Sequence, residues 1–236
     1  MGDSITKGVV LTSDNNYSVL EDNFVGLLSK HNDIEIDNLG KFGCTISFAH
    51  HIIDHYPEKI SSSAYTILEY GGNDCDFYWK RIASDPSGDH HPKTTLEEFR
   101  REFVKLIGKI RALGSQPIIL SLPPIESKDY FDFFSRKMND EQRDNILGWM
   151  GGEVEAISRW HDSYNQVLFG VAGETSTPIL DITAPFSNHS EGWRTLLCHD
   201  GIHPNSEGHR LIASSIMAAT RFDKAVEQAF APQVGP

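Results

Sequence analysis

Cysteine is scarce in this chain: three residues in 236, at Cys44, Cys75 and Cys198. None forms a C-x-x-C pair, so neither a zinc knuckle nor a dithiol redox motif is supported. A small, odd number of thiols without a secretory leader predicts a reducing, cytoplasmic location. Long apolar runs are lacking too. No stretch approaches the roughly 18 apolar residues of a membrane span, and no basic segment followed by an apolar one precedes the first motif. Positive charge is also short: 21 Lys and Arg stand against 33 Asp and Glu, a net charge of −12. Such a surface repels polyanions, which argues against nucleic acid as a partner and against an anionic membrane surface. A neutral or cationic small molecule is easier to accept. Repeats and low-complexity tracts are absent.

What is present fits an ordinary globular chain, 39% hydrophobic and 23% charged. The length suits one α/β domain over residues 1–236 with a sizeable core. Short β-branched or apolar runs at Ile34–Asn38, Tyr65–Tyr70, Pro117–Leu122 and Pro178–Ile182 read as buried strands. Helices are predicted over Tyr17–Lys30, Thr45–Tyr56, Thr95–Leu113, Asp140–Gly173 with a break at Gly151-Gly152, and Ser206–Phe230. Alternation of strand and helix implies a parallel sheet covered on both faces, with its sites at the carboxyl ends of the strands. Asp76–Lys93 and Ser127–Asn139 show no clear period and read as loops over that edge. Their aromatics, Phe77, Tyr78, Trp79, Tyr130, Phe131, Phe133 and Phe134, suit an apolar lid or substrate wall, or simply pack the loops down.

Four short patterns follow one another in a telling order. Gly2-Asp3-Ser4-Ile5-Thr6 offers a serine hydroxyl at a strand-to-helix turn, though Gly-Asp-Ser is also common turn chemistry. Asn38-Leu39-Gly40-Lys41-Phe42-Gly43-Cys44-Thr45 places glycines where a backbone N–H can approach a ligand. Gly71-Gly72-Asn73-Asp74 can aim a carboxamide donor into a cleft from a strand end. Asp200-Gly201-Ile202-His203-Pro204 sets a carboxylate three residues before an imidazole, close enough to fix its orientation. Each pattern alone is ordinary.

Together, in this order, they resemble the blocks of the SGNH (GDSL-like) hydrolases, from the first residues to about Ala213. The resemblance implies a flavodoxin-like α/β/α sandwich and metal-independent hydrolysis of small-molecule acyl esters without a cofactor. It assigns Ser4 as nucleophile, Asp200 and His203 as its partners, and the backbone N–H of Ser4, that of Gly43 and the side chain of Asn73 as the oxyanion hole. Short acyl groups on a carbohydrate or other small ester are the expected substrates, with lysophospholipase or thioesterase action on longer chains as the alternative. A non-catalytic carbohydrate- or lipid-binding module is a further alternative, since fold does not fix function.

Other chemistries are weaker. His51 and His55 stand at i, i+4 with Asp54 beside them, a spacing that can pair imidazoles, but no third ligand is placed by the sequence. His90-His91 lies in a polar loop. The three cysteines each fall within two residues of a motif, a position that also suits small buried side chains. Trp160-His161 and Trp193 read as cleft lining or partly buried core. Members of the resembled family place an apolar strand before the serine motif, and only Met1 precedes Gly2 here. The first strand therefore reads as truncated. Either translation begins upstream of Met1, or another segment or a second copy fills the gap.

Overall fold

A computed structural model describes residues 1–32 and 34–221. The chain opens with a one-turn helix, α1 (Ser4–Lys7), and a hairpin of β1 (Val9–Leu11) and β2 (Tyr17–Val19), paired antiparallel with Val10 opposite Ser18. Then come α2 (Phe24–Asn32), α3 (Ile46–His55), α4 (Pro57–Ser61), β3 (Tyr65–Leu68), α5 (Trp79–Ser84), α6 (Leu96–Ala112) and β4 (Gln116–Leu120). The remainder is α7 (Ser127–Ser135), α8 (Asp140–Trp149), α9 (Ala156–Thr175), β5 (Ile179–Leu180), α10 (Thr183–Ser187), a 3₁₀ turn at Trp193–Leu196, and α11 (Ser206–Arg221).

The main sheet is parallel, with β3 beside β4 and β4 beside β5. Gly2 extends it by single parallel bridges to Glu69 on one side and Gly40 on the other. The Met1 carbonyl accepts from Glu69 N at 3.1 Å and the Gly2 carbonyl from Lys41 N at 3.0 Å. The order across the sheet is thus the Gly40 segment, Met1–Gly2, β3, β4, β5, a doubly wound arrangement. Against one face lie α3, α6 and α9, around Ile46, Leu68, Phe99, Phe103, Leu106 and Leu168. Against the other lie α2, α10 and α11, around Phe24, Leu120, Phe186 and Ile212. A third cluster, Trp79, Ile82, Phe131, Ile146 and Ile157, joins α5, α7, α8 and α9. Burial of each large apolar side chain stabilises by about 1.5–3 kcal/mol, so these clusters set where the layers meet.

Local chemistry explains most boundaries. Thr95 caps α6 in a capping box with Glu98, and Gly114 follows its end in the left-handed region. The break expected at Gly151-Gly152 separates α8 from α9, with both glycines at positive φ. Three expectations fail. Tyr17–Lys30 is not one helix: Tyr17–Val19 pairs with β1, and α2 starts only at Phe24, where Asn23 accepts from Val25 N and Gly26 N. Ile34–Asn38 is not a strand. A strand needs a neighbour's N–H and C=O groups, and here the neighbour is Met1–Gly2, whose bridge falls on Gly40. The two supposed loops each contain a helix, α5 and α7, whose buried residues Trp79, Ile82 and Ala83 or Phe131 and Ser135 face the third cluster. The closing helix is described to Arg221, and the rest of Ser206–Phe230 lies outside the described residues.

Candidate active site

The Gly2-Asp3-Ser4 turn is built by three different constraints. A Cβ on Gly2 would stand 2.0 Å from Thr6 Oγ1 and 2.8 Å from the Glu69 carbonyl, so only glycine allows this approach. Asp3 caps α1, its Oδ1 accepting from Ile5 N at 2.8 Å. Ser4 then starts the helix with its side chain at the carboxyl edge of the sheet. Asn38 ties the neighbouring loop to α1, donating to the Thr6 carbonyl at 2.8 Å and accepting from Gly40 N at 2.9 Å.

His203 reaches Ser4 from the far end of the chain. Its Nε2 lies 3.0 Å from Ser4 Oγ, and its Nδ1 lies 2.6 Å from Asp200 Oδ2. A carboxylate only accepts, so Nδ1 carries the proton and Nε2 is free to accept from the serine hydroxyl. The other Asp200 oxygen accepts from the backbone of Ile202 and His203 at 3.2 and 3.1 Å. Burial by itself raises the Asp200 carboxyl. The hydrogen bond and charge of His203, with the two backbone donors, outweigh burial and leave it below the usual carboxylate range. Gly201 lets the turn dock: a Cβ there would stand 2.5 Å from the Glu126 carbonyl at the start of α7.

Ser4, Gly43 and Asn73 line one cleft with His203. Gly43 has φ +70 and faces open space. The Asn73 amide donates to Asp3 Oδ2 at 3.0 Å. Next to it, Asp74 is fully buried and accepts from Thr94 Oγ1 at 2.7 Å and from Ile46 N at 3.0 Å, tying this loop to the start of α3. All five residues expected from the sequence are therefore gathered at one edge of the sheet.

The GDSL-like Lipase/Acylhydrolase family model matches residues 1–211. The chain belongs to that family. Among solved structures, the acylhydrolase is similar to a lipase/acylhydrolase from Enterococcus faecalis, with 17% identity over 94% of this chain and 93% of that one and a TM-score of 0.63. It is similar to a catalytic mutant of an acetylxylan esterase from Geobacillus stearothermophilus, with 18% identity over 92% and 90% and a TM-score of 0.60. A further acetyl xylan esterase matches with 19% identity over 93% and 96% and a TM-score of 0.60. At these identities the likeness is one of fold. No curated protein sequence matches the chain.

The acylhydrolase has two aromatic walls: the sequence indicates Phe77, Trp79, Phe134 and Trp160 of one, but not its Trp149 nor the other wall, Tyr17 and Phe42. Tyr17, on β2, meets the His203 ring edge-on at a centroid distance of 5.2 Å, and Phe42 stacks on it at 6.2 Å and 17°. On the other side the same cleft, about 800 Å³ in all, extends into a chamber that reaches Phe77, Trp79, Phe134, Trp149 and Trp160. The polar ends of Trp79, Tyr130 and Trp160 are occupied within the protein. Asp76 Oδ1 accepts from Trp79 Nε1 at 2.8 Å and Tyr130 Oη at 2.7 Å, Asp76 Oδ2 accepts from Lys93 Nζ at 2.8 Å, and Trp160 Nε1 donates to the Cys75 carbonyl. These three side chains therefore turn their ring faces, not their polar ends, to the chamber. Of the aromatics expected there, Tyr78 points to solvent and Phe131 is core, while Trp193 is exposed away from the cavity. His90, His91 and His161 do line it.

The remaining candidates stay apart from this chemistry. His51 packs on Phe48 and His55 on Tyr56, and no three His, Cys, Asp or Glu side chains among the described residues are grouped to hold a metal. Burial pushes the Cys44 thiol up to about 12 and raises those of Cys75 and Cys198, which disfavours their thiolates. No helix among the described residues is long and apolar enough to cross a membrane.

Proposed function

We propose that this acylhydrolase is a serine esterase that works through an acyl-enzyme on Ser4. The observation that carries the reading is the continuous contact from Ser4 Oγ through His203 to the buried Asp200. His203 Nε2 takes the hydroxyl proton as Ser4 Oγ attacks the ester carbonyl carbon, and Asp200 stabilises the imidazolium that results. The backbone N–H groups of Ser4 and Gly43 and the Asn73 amide meet the oxyanion of the tetrahedral intermediate. As that intermediate collapses, His203 gives its proton to the departing alcohol oxygen and the acyl group stays on Ser4. Water, activated by the same imidazole, then repeats the attack and releases the acid.

The short acyl group on a carbohydrate is supported by the small, polar surroundings of the motifs and by the two acetylxylan esterases among the similar structures. One observation favours a second reading, longer acyl chains: the cleft at Ser4, taken with its aromatic chamber, is far larger than an acetyl group needs. Rates on acetyl, butyryl and octanoyl esters of one alcohol decide between them, since a rate rising with chain length excludes the acetyl preference. For the mechanism itself, Ser4→Ala is expected to lower p-nitrophenyl acetate hydrolysis by roughly 10⁶-fold with the fold intact by circular dichroism. A fluorophosphonate probe is expected to label Ser4 covalently. Full activity in the variant sinks Ser4 as the nucleophile, and a parent that neither hydrolyses the ester nor takes the probe on Ser4 leaves a binding module.

A further inference from the structure

Behind Ser4 lies a buried acid pair that the steps above do not use. Asp3 and Glu69 are 2% and 1% exposed, and their carboxyl groups are within hydrogen-bonding reach of each other. Glu69 follows β3 in the middle of the sheet, where Gly2 bridges to it. Two adjacent carboxylates cannot both keep their charge away from water at modest cost, so such a pair holds a proton between them. The surroundings say which partner carries it. Asp3 accepts from Ile5 N at 2.8 Å and from Asn73 Nδ2 at 3.0 Å. Glu69 accepts from Thr6 Oγ1, at 2.9 Å on Oε2, and is approached by the Asp3 backbone N–H, but among the described residues no donor meets its buried Oε1. The charge belongs on Asp3, and a proton on Glu69 Oε1 satisfies that atom by donating to Asp3.

The consequence runs to the oxyanion hole. A carboxamide can turn over and exchange its donor and acceptor ends. Facing the acceptor-only Asp3, Asn73 must place its nitrogen there. The second N–H on the same nitrogen is then the one left for the cleft. A second negative charge at Glu69 would act against an oxyanion forming nearby. We propose that Glu69 is a positioning residue for ester hydrolysis: in its protonated form it fixes Asp3, which in turn holds the Asn73 donor toward the oxyanion. This rests on the esterase reading given above.

The other titratable groups around the pair are the Met1 amino group, Cys44, Tyr70, Asp74 and His203. Burial pushes the Cys44 thiol up to about 12 and Tyr70 well above its ordinary value, which keeps both neutral through the working range, whereas Asp74 is raised to about 7. Burial and the neighbouring Asp3 raise Glu69 well above its ordinary value, which favours its protonated form.

The test compares Glu69→Gln, which keeps a donor for Asp3 but cannot ionise, with Glu69→Leu, which removes the donor at similar volume. One oxyanion-hole donor is worth about 10²–10³-fold in kcat, and a loosened one is expected to lose roughly 10–100-fold. On p-nitrophenyl acetate, Glu69→Leu should therefore lose kcat by that factor with little change in KM. Glu69→Gln should keep kcat within about threefold of the parent's maximum and lack the decline that loss of the Glu69 proton gives the parent as pH rises. Parent-like kcat in Glu69→Leu, or a decline that persists unchanged in Glu69→Gln, overturns the proposal. If Glu69→Leu does not fold, the pH profile of Glu69→Gln decides alone. Either failure with Ser4 still labelled by fluorophosphonate refutes the role of Glu69 and spares the esterase; an unlabelled Ser4 refutes both.

Discussion

The catalytic end of the cleft and its aromatic end are held by opposite means. Around Ser4 the reacting groups are fixed by directed hydrogen bonds: Ser4 to His203, His203 to Asp200, Asn73 to Asp3, Thr6 to Glu69. In the chamber, rings rest on rings, Phe77 against Trp149 at 5.0 Å and Trp79 stacked on Phe134 at 4.6 Å, with Asp76 as the polar hub. A hydrogen bond fails when one atom moves by a few tenths of an ångström, whereas dispersion and apolar burial fall away gradually. The first end can fix a reacting atom, and the second can accept groups of varied shape. Substitutions at the two ends should accordingly differ in kind: large losses of kcat for all esters at one, and losses that depend on the acyl group at the other.

The sharpest contrast is expected at Asp200. Asp200→Asn keeps the volume but offers Nδ1 an amide, which can impose the wrong imidazole tautomer, and about 10⁴-fold of kcat should vanish for every ester tried. Asn73→Ala comes next, at about 10²–10³-fold in kcat with KM nearly unchanged. Steady-state kinetics on acetyl and octanoyl esters check both. If either variant discriminated between the two esters, the division between a reacting end and an accommodating end would be wrong.

That division also explains what the sequence disclosed. Ser4 and His203 stand out because their neighbours are constrained locally: Gly2 by its approach to Thr6, Asp3 by the cap it provides, Gly201 by docking on Glu126. The chamber demands only bulk. Phe77, Trp149 and Trp160 are spread over more than seventy residues and meet only once α8 and α9 fold back over the sheet, so no spacing announces them. The helices α5 and α7 are too short for their period to stand out. Tyr17 was misplaced for a related reason. Its segment runs into α2 with no proline between them, and only pairing of Tyr17 with Leu11 makes it a strand and carries its ring to His203. Likewise Ile34–Asn38 has the composition of a strand without a partner alongside. Local residue demands were readable, while features that depend on a distant neighbour were not.

A smaller effect tests the chamber directly. Trp149 is half-buried and touches Phe77, Trp79 and His90. Each methylene removed from water contributes about 0.8 kcal/mol. Losing the wall for about two methylenes should cost Trp149→Ala roughly tenfold in kcat/KM for an octanoyl ester and leave the acetyl ester within about twofold. Equal losses on both esters would mean that the chamber supports the fold without receiving the acyl chain.

The smallest effect concerns Asp76, the one carboxylate on which the chamber's polar ends converge. Trp79 Nε1 and Tyr130 Oη share its Oδ1, and Lys93 Nζ takes Oδ2. Tyr130→Phe removes a donor and leaves Asp76 its other two partners, so about 1 kcal/mol of stability should be lost. Asp76→Ala strands the indole and the phenol together, and a buried donor without an acceptor costs about 1–3 kcal/mol. The expected loss is therefore larger than for Tyr130→Phe, read as a lower midpoint in urea with an unchanged slope. Because Asp76 touches none of the groups around Ser4, kcat for the acetyl ester should stay within about twofold in both variants. A large fall in acetyl turnover with only a small fall in stability would show that the two ends are coupled through the Asn73–Asp76 segment, and the comparison drawn here would have to give way to a single, jointly ordered site.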